Sequence, residues 1–111
     1  MTNTSKSDQF RSMVEKNPNN PLFRFSLGQA LFEEERWEEA SVHLIQAADT
    51  REDWMLARIL AGKALLRLGR PTEARPWLET SLRLAVEQRH EGPEAEVRAL
   101  LEELKGSGPS S

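Results

Sequence analysis

The sequence predicts an all-α protein built from stacked antiparallel helix pairs, and three observations carry that prediction. First, the 111-residue chain matches itself at a shift of 34 residues. Leu27-Gly28-x-x-Leu31 with Ala40-x-x-x-Leu44 and Ala47 becomes Ala61-Gly62-x-x-Leu65 with Ala74-x-x-x-Leu78 and Ser81, with no gap. Second, the composition is Ala, Leu, Glu and Arg in aliphatic-charged blocks, with no Tyr and almost no β-branched run, which favours helix over strand. Third, proline falls at the boundaries between the blocks, at Pro18, Pro21, Pro71 and Pro93, except at Pro76. A period of this length, with a small residue at two fixed points, is the mark of helix pairs that each cover the next.

Taken in order, residues 1–6 are polar and unanchored, a flexible N-terminus. Ser7 is placed to cap a first helix with Phe10, Met13 and Val14 on one face, and Asn17-Pro18 ends it because a residue before proline is pushed out of the α region. Asn20 caps a second helix with Pro21 in its first turn, where a missing N–H costs nothing, running to about Glu34. A third helix is expected from Trp37 to Ala48, with Glu38 and Glu39 at the positive end of its dipole. Thr50-x-x-Asp53 has the form of a capping box for a fourth helix ending at Leu68, closed by Gly69 in the left-handed conformation. Arg70-Pro71-Thr72 leads into a fifth helix reaching about Gln88, with an irregular first turn where Pro76 removes a hydrogen bond. Gly92-Pro93 opens a sixth, carrying Val97, Leu100, Leu101 and Leu104 as an i, i+3, i+4, i+7 stripe, and residues 106–111 form a disordered tail.

The spacing resembles the tetratricopeptide repeat, which places Trp, Leu-Gly, Tyr, Ala, Phe and Pro at fixed intervals. Leu27-Gly28, Ala40 and Leu44, then Ala61-Gly62, Ala74 and Leu78, stand at the Leu-Gly, Ala and Phe positions, while Phe10 and Pro18 fit the end of a preceding unit. Arg24 and Arg58 replace the family Trp, Leu31 and Leu65 replace its Tyr, and Val86 replaces the closing Pro of the second copy. The resemblance implies a right-handed α-solenoid of about six helices: a partial unit 7–20, units 21–54 and 55–88, and a capping helix 93–105, together a domain over 7–105. In such proteins the first helix of each unit lines a concave groove. The matching positions are Leu22, Phe25, Gln29, Phe32 and Glu33, then Leu56, Ile59, Lys63, Leu66 and Arg67.

The expected function is a non-enzymatic protein–protein interaction module that binds a peptide or protein segment through Phe25, Gln29, Phe32, Ile59, Lys63, Leu66 and Arg67. Several of these residues would equally serve as core. The alternative is self-association, a weak homo-oligomer formed through the groove or through exposed ends. A clamp for a C-terminal carboxylate is disfavoured, because Phe25 and Ile59 are apolar where it needs Lys or Asn. Trp37 and Trp77 are expected to pack inward and Trp54 to cover a helix junction. The run Glu33-Glu34-Glu35 with Glu38-Glu39, and the arginines of the second half, are expected to be solvated.

Other functions find little support. A net charge of −3 with interspersed signs offers no concentrated basic face for nucleic acid. No Cys is present, and His43 (expected to point outward) and His90 (expected in a connection) have no ligand spacing, so neither metal nor cofactor is expected. No catalytic or phosphate-binding motif occurs. MTNTSKSD has no apolar stretch behind it, so neither a signal peptide nor a membrane span is expected and the location should be cytoplasmic.

Overall fold

The computed structural model describes residues 5–107, and these form six α-helices: α1 (Lys6–Lys16), α2 (Pro21–Glu33), α3 (Trp37–Thr50), α4 (Met55–Arg67), α5 (Pro71–Glu87) and α6 (Glu91–Ser107). Each packs on its sequence neighbour, and α2 also touches α4. Helices α2 and α4, sandwiched between neighbours, are apolar nearly all round, whereas α1, α3, α5 and α6 have a single apolar face. The molecule measures 51 × 29 × 20 Å, an elongated stack of helical layers as a solenoid requires.

Two apolar clusters repeat one another along the stack. Leu27, Leu31, Ala40 and Leu44 form the first with Val14, Leu60 and Ala61. Leu65, Ala74, Leu78, Val97 and Leu104 anchor the second. At the crossings, a Cβ on Gly28 would stand 2.8 Å from Leu44 Cγ, and one on Gly62 would stand 2.7 Å from Leu78 Cδ2. Glycine therefore sits where a leucine from the partner helix presses against bare backbone.

Three helices end in the same way. The N–H groups of Arg36, Arg70 and His90 reach back to the carbonyls of Leu31, Leu65 and Ala85, each at 2.9 Å, across a residue in the left-handed region: Glu35 (φ 61°), Gly69 (φ 73°) and Arg89 (φ 58°). Glu35 and Gly69 are one period apart, yet only one is glycine. Left-handed backbone costs a side-chain-bearing residue about 1–2 kcal/mol. Glu35→Gly is therefore expected to raise stability by about 1 kcal/mol after glycine's larger unfolded-state entropy is subtracted. A urea midpoint that moves upward checks this.

Several local expectations are corrected. The cap of α1 is Ser5, whose hydroxyl accepts from the Asp8 N–H at 3.2 Å, so Lys6 is already helical. Ser7 instead is fully buried, and its N–H and O–H both donate to the Glu34 carboxylate, at 3.2 and 2.8 Å. Thr50 opens no capping box. It is the last residue of α3, and its hydroxyl donates to the Ala47 carbonyl at 2.6 Å. The expectation that Pro76 leaves α5 unbroken is met, because Pro76 and Thr72 lie on an exposed face where water can replace the lost partner. Helix α6 starts at Glu91 and continues through Gly106 and Ser107, which corrects the tail expected over 106–111 at those two positions; residues 108–111, like Met1 to Thr4, lie outside the described residues. His43 does not point outward: its side chain is 15% exposed and packs beside Arg24.

Candidate functional site

The groove is built by α2, α4 and α6, the first helix of each successive layer. Helical geometry puts residues 56, 59, 63, 66 and 67 of α4 on one side, and α6 faces them with 93, 96, 100 and 103. A cleft of about 540 Å³ lies at the C-terminal end of α4, lined by Phe32, Lys63, Leu66, Arg67, Glu96, Leu100 and Glu103. Phe32, Leu66 and Leu100 are spaced by one period and contribute one half-buried apolar side chain from each layer. Aromatic packing holds one wall: Phe32 meets Trp37 edge-on at 4.9 Å, and the Arg67 guanidinium lies 5.6 Å from the same Trp37 ring. Lys63 Nζ forms an ion pair with Glu96 Oε2, which ties α4 to α6.

A second, more apolar cleft of about 360 Å³ lies at the other end of α4, between Asp53, Met55, Leu56, Ile59, Gln88, His90 and Pro93. Leu22 and Leu56, one period apart, are 59% and 49% exposed, the most exposed large apolar side chains of α2 and α4. The groove thus has one mainly apolar end, while at the other Phe32, Leu66 and Leu100 share the cleft with the charged Lys63, Arg67, Glu96 and Glu103.

Of the seven residues predicted for the groove, Phe32, Lys63, Leu66 and Arg67 come together. Gln29 lies apart, in a depression between α1 and α2 with Lys6, Phe10 and Glu33. Phe25 packs on Trp54 with ring centroids 5.0 Å apart. Ile59 is only 3% exposed and belongs to the core, touching the second cleft with its edge. Sequence reasoning missed Glu96, Leu100 and Glu103. Leu100 was legible, because it stands one period beyond Leu66, but the α6 stripe was read only as a lid.

Residues 8–54, which span α1 to the start of α4, match the tetratricopeptide repeat family model. Over those residues the chain is tetratricopeptide-repeat-like, and the six-helix architecture fits the same fold. Its second helix pair repeats the first one period later, with the same glycine–leucine crossing and the same helix closure. Among curated proteins, none matches the chain closely enough to count as a relative. The tetratricopeptide-repeat family generally mediates protein–protein interaction. Among the described residues, no helix is long and apolar enough to cross a membrane, and no cluster of three or more His, Cys, Asp or Glu could hold a metal ion.

Proposed function

We propose that this tetratricopeptide-repeat-like domain is a non-enzymatic, cytoplasmic binding module that takes a peptide or protein segment along the groove of α2, α4 and α6. The observation that carries the reading is the row Phe32, Leu66 and Leu100, one half-buried apolar side chain per layer meeting in a single cleft. Such rows give contact area, while the Lys63–Glu96 pair in the same cleft supplies polar groups that fix register. End-to-end self-association fits less well, since both outer helices present polar faces: Asp8, Ser12 and Glu15 on α1, and Arg98, Glu102 and Lys105 on α6.

The test is the double variant Phe32→Ala with Lys63→Ala, used in a crosslinking pull-down from native cells beside the unchanged chain. Recovery of the partner should fall about tenfold or more, equivalent to about 1.4 kcal/mol, while the helical circular dichroism persists. Undiminished recovery by the folded variant rejects the groove. A concentration-dependent dimer in light scattering that the same substitutions abolish would instead assign the groove to a second copy.

A further inference from the structure

We propose that His43 and Arg24 form an acid-released latch holding α1 and its connecting turn against the α2–α3 pair. Arg24, on α2, reaches three acceptors from one guanidinium: His43 Nδ1 at 3.2 Å and Gln46 Oε1 at 2.7 Å, both on α3, and the Pro18 carbonyl in the α1–α2 turn at 3.2 Å. A guanidinium can only donate, so Nδ1 must accept, and His43 is the neutral Nε2–H tautomer. A proton on Nδ1 would set two donors and two positive charges face to face. Arg24 would then leave, and its hold on Pro18 would go with it.

The remaining charges around His43 pull its proton in opposite directions, Glu39 favouring it and Arg11 opposing it. Glu39, on α3, lies 4.0 Å from His43 Nε2 and is also ion-paired to Arg11 of α1. A protonated His43 draws Glu39 toward itself and competes with Arg11, which with the Ser7–Glu34 hydrogen bonds is a further polar tie between α1 and the pair. Burial, then the Arg24 charge, and more weakly Arg11, lower the pKa of His43, while Glu39 opposes them. Glu39 itself is held below its ordinary range chiefly by the Arg11 hydrogen bond, so it keeps its charge while the histidine titrates.

Because the folded pKa is depressed, the unfolded or opened chain takes up protons first as pH falls. The latch's contribution is complete above the ordinary histidine value of 6.5 and is lost as pH drops from there through the lower folded value. Release frees the half-unit whose Phe10 and Val14 cover Leu27 and Leu31. The latch is independent of what the groove binds.

Amide hydrogen exchange at about pH 7.5 and about pH 5.5, corrected for intrinsic rates, tests it. Protection over residues 6–20 should fall about fivefold relative to α5 in the native chain, and should not fall in His43→Gln, whose carboxamide oxygen accepts from Arg24 at every pH. An equal fall in both chains overturns the latch. Imidazole nitrogen resonances of the native chain give a second readout that needs no folded variant. An Nε2–H tautomer titrating below a free histidine supports the latch, and an Nδ1–H tautomer or an ordinary midpoint overturns it.

Discussion

Leu78→Ala is expected to lower the unfolding free energy by about 3 kcal/mol, and Gly62→Ala, harmful alone, to become neutral or helpful in that background. Leu78 is fully buried, so truncation removes its transfer energy and leaves a cavity between α4 and α5. Gly62→Ala alone gains about 1 kcal/mol of helix propensity but loses about 1–3 kcal/mol to overpacking, since its Cβ would stand 2.7 and 2.8 Å from Leu78 Cδ2 and Cγ. Without Leu78 only the propensity gain remains. A double-mutant cycle in urea should therefore show a favourable coupling of about 2 kcal/mol. The first pair differs in a testable way. A Cβ on Gly28 would also stand 3.2 Å from the Leu44 backbone N, which no side-chain substitution moves, so Leu44→Ala should rescue Gly28→Ala only in part. Additive effects at Gly62 and Leu78 would mean that the helices do not cross at that glycine.

Val97→Asp is the second large effect, expected to cost about 3 kcal/mol or to detach α6 outright. Val97 is fully buried in the cluster of Met55, Ile59, Leu65 and Leu84, and no cation of that cluster could pair with a carboxylate. Burying an unpaired charge there is costlier than separating the helix from the stack. Detachment would leave the apolar face of α4 and α5 in water, and such a face associates. Light scattering should show concentration-dependent oligomers in Val97→Asp and none attributable to this face in the native chain. A monomer of native stability would mean that α6 contributes nothing to the core.

The site was less legible than the fold, for reasons visible in single residues. Helix periodicity says that 25, 29, 32, 59, 63, 66 and 67 share one side of their helices, but it cannot say how far each neighbour encroaches. Packing between layers buries Ile59, sets Trp54 against Phe25 and places Gln29 beside α1. His43 was misplaced for the same reason: its position on α3 is lateral, and the long Arg24 side chain from α2 closes over it. Glu34 belonged to an acidic run expected to be solvated, yet its carboxylate takes both donors of Ser7, a residue 27 positions away. No local pattern encodes a pairing of that range.

What the sequence determined alone was the repeat, because its cause is local: helix periods, proline and glycine stops, and a bare backbone wherever a leucine must fit. It located Gly28, Gly62 and Gly69, both ends of α2 and the C-terminal end of α4 to within a residue or so, but not the start of α4. Only the tertiary structure decided that Glu35 and Arg89 take the conformation Gly69 takes, since closure of the hairpin forces it on whatever residue is there. Only packing, too, decided that α6 is a groove wall as well as a cap: Val97 and Leu104 turn inward, and the helical pitch then leaves Glu96, Leu100 and Glu103 facing α4.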